Sequence, residues 1–238
     1  MKQSLPALQR QTLPEQVARE IGIRIMREDF KPGDVLAKES ELSLQLNVSR
    51  PALREALKML GAKGLIESRP KIGTRVRQRA EWSLLDPDVI AWQSEAGPDR
   101  QFLLDICEVR LLFEPMTAGL AATRATEEEI ARIVHHYQAM QETVDSIEGY
   151  IGADLQFHTA ICLAAHNEFL SRIITTLDTP LRASRLITSR LSGANQNAMP
   201  LHRTVSDSIS KRDAAAAEEA MRRLVLLTTE DVRRAFDE

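Results

Sequence analysis

The stretch "NVSRPALREALKMLGAKGLIESRPKIGTRVRQ", Asn47 to Gln78, changes its period once, and that change decides the fold. After Ser49 the apolar residues Ala52, Leu53, Ala56, Leu57 and Leu60 recur at helical spacing. Ser49 is a residue type that caps a helix start, and Pro51 falls in the first turn, where its missing N–H is no loss. Gly64 ends the helix. Beyond it "LIESR" and "TRVRQ" alternate apolar and polar residues around the turn "PKIG", the pattern of two short strands. Upstream, Val17, Ile21, Ile25 and Met26 mark a helix over about Leu13–Asp29, which "KPGD" breaks at Pro32 and Gly33. A short helix over about Lys38–Leu46 follows. A helix ending at Leu46, a brief turn and a second helix from Ser49 have the spacing of the bihelical motif that lays its second helix in the DNA major groove. With the strand pair, these three helices predict a winged helix-turn-helix over residues 1–80.

Charge divides at the same place. Residues 1–80 hold 16 Lys/Arg against 9 Asp/Glu, whereas residues 81–238 hold 15 against 25. The first part is therefore +7 and the second −10, which points to an anionic partner, double-stranded DNA, for the first part only. On the third helix Arg50 and Arg54 share a face at i and i+4, suited to paired hydrogen bonds on guanine, and Ser49 at the helix start suits a phosphate. Lys71 and Arg75, with Arg77 and Arg79, surround Gly73 as the basic side of a wing.

Past about Trp82 no strand signal recurs, and the text is a succession of helices, so the chain is mainly α, with an all-α bundle of six or seven helices over residues 81–238. The clearest helix begins at Thr126 and Glu129, a capping box, and carries Ile130, Ile133, Val134, Tyr137, Met140 and Val144 on one face. In "DLQFHTAICLAAH", Asp154 and His158 stand one helical turn apart and can grip the same atom. A buried hydrogen-bonded pair without metal is the alternative. Cys107 and Cys162 lie in apolar helical text and read as two unpaired, inert thiols. Arg110, between apolar neighbours, suits recognition of a carboxylate, or else an internal pair with Glu114 at i+4. Asn167 reads as a hydroxyl contact or as a helix cap. His135, His136 and His166 are not recommended as ligands by their spacing. No apolar run approaches the roughly 18 residues of a membrane span, and the N-terminus carries no secretion signal, so a cytoplasmic protein with no membrane partner is expected.

"PGDVLAKESELSLQLNVSRPALREALKMLGAKGLIESRPKIGTRV" resembles the DNA-binding domain of GntR-family bacterial transcription regulators. The resemblance covers about Leu13 to Val76, and implies that Ser49, Arg50, Arg54 and the Gly73 wing contact an operator. Ser40 stands where the family often has a further arginine, and Lys38 is nearby. The second part, through "EVRLLFEPMTAGLAATRAT", "DLQFHTAICLAAHNEFL" and "LHRTVSDSISKRDAAAAEEAM", is similar to the FCD ligand-binding domain of the FadR subfamily. "EWSLLDPDVIAW" is more loosely similar to sugar-acid regulators of the galactonate-repressor type. The resemblance implies a small carboxylate effector beside a divalent metal held by Asp154, His158 and His202, while the register of the fourth ligand, a His, falls on Leu224. A three-ligand site for Zn, Ni or Mn is expected, completed by water or effector. The implied function is a homodimeric repressor of a sugar-acid or hydroxy-acid catabolic operon. A metal-dependent helical-bundle enzyme fused to a DNA-binding head is the alternative; it lacks a general base, nucleophile or phosphate loop at recognisable spacing.

Overall fold

The computed structural model describes residues 12–69, 73–97 and 99–237, and divides the chain into two compact units, Met1–Gly97 and Pro98–Glu238.

In the first unit, α1 (Leu13–Met26) starts on a capping box in which Thr12 N–H donates to Glu15 Oε2 at 2.6 Å and Glu15 N–H donates to Thr12 Oγ1. Helices α2 (Glu39–Gln45) and α3 (Arg50–Ala62) follow, with Ser49 as the N-cap of α3. The strands β1 (Ile66–Arg69) and β2 (Gly73–Val76) pair antiparallel, with Ile66 opposite Val76 and Arg69 opposite Gly73. On the other edge of β2, Leu36 N–H donates to Thr74 O and Val76 N–H to Asp34 O, so the segment after the "KPGD" turn adds a third, minimal strand. Leu53, Leu60, Leu65 and Val76 have no exposed surface and join α1 to the ribbon. Burial of each such side chain stabilises the unit by roughly 1.5–3 kcal/mol. Gly64 adopts φ +74°, and a Cβ there would meet Glu81 O at 2.4 Å, so conformation and space both require glycine.

The first unit continues past residue 80, where the sequence had placed its end. Helix α4 (Pro87–Ala96) returns to α1, and the Trp92 ring lies where a Cβ on Gly22 would stand, 2.3 Å from its nearest atom. Trp82, Val89 and Trp92 are buried in the same core as Ile21 and Leu60, which moves the boundary to Gly97.

The second unit is six helices: α5 (Arg100–Arg124), α6 (Glu127–Glu142), α7 (Ile147–Ala164), α8 (Glu168–Thr188), α9 (Ala194–Ser210) and α10 (Ala214–Asp237). The expected capping box opens α6, with Thr126 N–H donating to Glu129 Oε2 at 2.8 Å. Helix α5 packs along α10 and also touches α7, α8 and α9, so one face of it meets most of the bundle. Ala118, Ala121 and Ala122 on α5 let Phe157, Ile161, Val205 and Val225 close over it. Cys107 and Cys162 are buried and free, and burial with the nearby Glu114 charge pushes the Cys162 thiol up. Among the described residues no helix is long and apolar enough to cross a membrane.

Candidate functional site

On the first unit the candidate DNA face is built around the start of α3. Ser49 Oγ accepts from Ala52 N–H at 3.4 Å, which leaves the first N–H groups of the helix directed outward beside it. Arg50 is exposed and has no hydrogen bond or ion pair among the described residues. Arg54 is also exposed, but its Nε donates to Glu39 Oε2 on α2 at 2.7 Å, and that bond raises its already high pKa. In the wing, Arg75 turns back and its Nε donates to Gly33 O at 3.2 Å. The strand alternation expected to align Arg75, Arg77 and Arg79 stops at Val76: Arg77 pairs with Glu81, and Arg79 sits on a 3₁₀ turn against Trp82 and Gln93. Gly73 heads β2 at φ +103°, and Lys71 lies outside the described residues.

In the second unit a polar cluster lies inside the bundle, assembled from four helices. Helix α7 supplies Asp154 and His158, one turn apart and both buried; α9 supplies His202, 1% exposed. One ligand atom from each of the three lies within 4.8 Å of the others. Asp154 divides its two oxygens: Oδ1 stands 3.1 Å from His202 Nε2 and 3.7 Å from His158 Nε2, while Oδ2 accepts from Arg185 Nε on α8 at 2.6 Å. The fourth contributor is α5. There Arg110 Nε donates to Glu114 Oε1 at 2.6 Å and Nη2 to Oε2 at 3.2 Å, and Glu114 Oε2 approaches His158 Nδ1 at 3.0 Å.

Glu114 thus stands against the Nδ1 side of the buried His158, and Nε2 of that ring has no hydrogen-bond partner among the described residues. His202 Nδ1 lies 3.0 Å from Ala198 O. If that nitrogen donates, a neutral ring presents a bare lone pair at Nε2 toward a carboxylate oxygen, and a cation between the two relieves the repulsion. One carboxylate oxygen and two imidazole nitrogens, one of them orphaned, are a donor set that divalent transition ions take. The residues therefore fit such an ion with three ligands. Leu224, in the register of the missing fourth, is buried in the apolar core with Phe157.

Burial raises the Asp154 carboxyl's pKa, but Arg185, His158 and His202 outweigh it and hold the group well below the usual carboxylate range. Glu114 follows the same pattern: burial opposes, while Arg110 and His158 prevail and depress it. Burial pushes the His202 imidazole down against the attraction of Asp154. Both carboxylates are thus charged at neutral pH, each against a guanidinium.

Beside the cluster is a cavity of about 20 Å³, bordered by Tyr150, Asp154, Arg185, Asn195, His202 and Asp231, among others. It admits a water or two and nothing larger. Arg110 does not border it; the i+4 pair with Glu114 is what the structure shows for that residue. Asn167 caps α8, accepting from Phe169 and Leu170 N–H, and faces a separate surface groove with His166 and Arg172. Arg185 is the residue sequence reasoning missed, because its role is visible only once α8 lies against α7.

A winged helix-turn-helix together with an all-helical bundle defines a type of DNA-binding transcription regulator. Comparison with known proteins places it more closely. Residues 13–76 match the model of bacterial regulatory proteins of the gntR family, and residues 105–226 match the FCD domain, so the chain belongs to the GntR family and carries an FCD domain. It is 31% identical over 210 residues to the galactonate operon transcriptional repressor of Escherichia coli K12, covering 88% of this chain and 92% of that one. It is 29% identical to the repressor NanR of Salmonella newport over 90% of this chain and 83% of that one. Among solved structures, Lar of Listeria monocytogenes shares the fold at a TM-score of 0.66 and 17% identity, over 95% of this chain and 99% of that one. The chain is a DNA-binding transcription regulator, not an enzyme, and the alternative of a DNA-tethered metalloenzyme has no support in this family.

Proposed function

We propose that this regulator is a cytoplasmic, homodimeric repressor of a sugar-acid or hydroxy-acid catabolic operon, released from its operator when a small carboxylate effector enters the second unit. The first unit, with Ser49, Arg50, Arg54, Lys71, Gly73 and Arg75, reads the DNA. Arg50, with no partner among the described residues, contacts a base edge. Arg54, steered by Glu39, and Arg75, steered by Gly33 O, meet the backbone near it. Two copies are needed because one winged unit reads few base pairs, and a near-palindromic operator matches a two-fold dimer.

In the second unit, Asp154, His158 and His202 hold a divalent metal. When bound, the ion supplies open coordination positions for oxygens of an acid. Glu114 crowds His158 from behind and limits its rotation, and Ala198 O does the same for His202, so that both Nε2 atoms turn toward Asp154. The observation that carries this reading is the His158 imidazole, buried between two carboxylates, whose Nε2 has no hydrogen-bond partner among the described residues. The repression of a galactonate operon by a relative points to the class of effector.

Since the cavity admits little more than water, a sugar acid enters only if α8, α9 and α10 separate. Prolines ease that movement: Pro180 precedes Arg185 by five residues and Pro200 precedes His202 by two, and each removes a hydrogen bond from its helix ladder. An effector that binds only the separated arrangement shifts the protein toward it and away from the operator-competent one.

The DNA side is tested by gel shift on a duplex that the wild-type protein selects from a random-sequence pool. Arg50→Ala should weaken specific binding by about 1–3 kcal/mol and leave binding to unrelated duplex little changed. Arg54→Ala should weaken both together. Equal operator affinity of wild type and both variants contradicts the assignment of α3.

A further inference from the structure

We propose that Arg185 anchors the effector's carboxylate and that Asp231, also on the cavity wall, makes the site select a polyhydroxy monocarboxylate over both neutral polyols and dicarboxylates. The inference rests on the effector-domain reading above and assigns the ligand's chemistry within it.

Two arginines are buried near the cluster, and their surroundings separate them. Arg110 grips Glu114 with two nitrogens, 2.6 and 3.2 Å long, and is absent from the cavity wall. Its charge is matched by Glu114, which holds it through both oxygens. Arg185 makes one hydrogen bond among the described residues, to Asp154 Oδ2. Nη1 of both arginines is buried without a hydrogen-bond partner among the described residues, so it is the place on the cavity wall that singles out Arg185. A guanidinium that is 5% exposed with an unused N–H group carries a desolvation cost that a ligand oxygen removes. Asp154 and Arg185 also cancel in charge, so any cation held by Asp154, His158 and His202 leaves this side of the cavity positive. A carboxylate is the complement.

The rest of the wall reads hydroxyls. Tyr150, 2% exposed, has no hydrogen bond to its hydroxyl among the described residues. Thr188, Ser189, Asn195 and Thr228 add short polar groups. Asp231, 6% exposed, accepts from Arg234 Nη1 at 3.3 Å. A carboxylate there accepts hydrogen bonds from ligand hydroxyls but repels a second acid group. A polyol has no anion for Arg185, and a dicarboxylate places one charge against Asp231.

The test is calorimetric titration of the full-length, metal-loaded protein with four hexonates (galactonate, gluconate, mannonate and gulonate), with galactarate as dicarboxylate and galactitol as neutral polyol. Wild type should bind at least one hexonate, galactarate about 30-fold more weakly, and galactitol not measurably. Arg185→Lys should lose about 30-fold in hexonate affinity with its metal content kept, and Asp231→Asn should recover about 10-fold for galactarate. Hexonate affinity within about 3-fold of wild type in Arg185→Lys, or galactarate binding as tightly as hexonate, overturns the inference while leaving the effector-domain reading in place. Failure of every hexonate to bind wild type overturns that reading and the inference with it. A co-crystal structure of the wild type with the tightest hexonate decides the point independently of any variant's folding: its carboxylate lies on the Arg185 guanidinium, whereas a carboxylate on Arg110 refutes the assignment.

Discussion

Replacing Asp154 by Asn removes one charge and nearly no volume, and the structure gives the size of the consequence. Asp154 is 1% exposed, and among the described residues its Oδ2 is the one hydrogen-bonding partner of the Arg185 side chain, itself 5% exposed. The variant leaves a buried guanidinium without its counter-ion, an uncompensated charge that costs about 3–5 kcal/mol. The second unit, at roughly 140 residues, unfolds with an entropy of about 0.3 kcal/mol per kelvin, so its midpoint should fall by about 10–17 °C. Scanning calorimetry in chelator isolates this effect from metal binding. With a divalent metal at about 100 times its Kd, wild type should gain about 2.7 kcal/mol, near 9 °C, and Asp154→Asn should gain nothing. A fall of less than about 3 °C in chelator, or an equal gain from metal in both proteins, refutes the account of Asp154 as the hinge between guanidinium and metal corner.

Two further outcomes follow from the same geometry. Gly22→Ala places a methyl 2.3 Å from the Trp92 ring, and overpacking of this kind should lower the stability of the first unit by about 1–3 kcal/mol, measured as an earlier first transition with the second unchanged. Acid should destabilise the second unit in two stages. The depressed Asp154 and Glu114 carboxyls stabilise the fold above their unfolded values near pH 4 and lose that contribution as the pH falls below it, while the depressed His202 disfavours the fold once an unfolded imidazole protonates, below about pH 6.5. Urea midpoints should therefore stay level from pH 8 to about pH 6.5, decline below it, and decline further as the pH is taken under about 4; a midpoint that rises between about pH 6.5 and pH 3 contradicts the directions.

The features legible in the sequence are those that lie within one helix or one turn. Ser49 as cap, the Thr126 and Glu129 box, the Arg110 and Glu114 pair, and the Asp154 and His158 pair all join residues three or four apart. His202 was reached only through the family resemblance, since α9 shows no spacing relation to α7. Arg185 stayed invisible because its partner lies 31 residues away on another helix, and in isolation it is one arginine of a partly apolar stripe. The extension of the first compact unit beyond residue 80 to Gly97 has a similar cause: the return of Trp82 and Trp92 to the first core is a tertiary event, with its local trace in the space that only glycine leaves at position 22.

The central claim is that ligand chemistry in the second unit controls DNA binding by the first. Fluorescence anisotropy of a labelled duplex that the protein selects from a random-sequence pool, titrated with metal-loaded protein, tests it most directly. Saturating hexonate should weaken operator binding by about 5–150-fold, the range of a 1–3 kcal/mol coupling, while galactitol leaves it unchanged. Operator affinity that is the same with every hexonate as without would contradict the account.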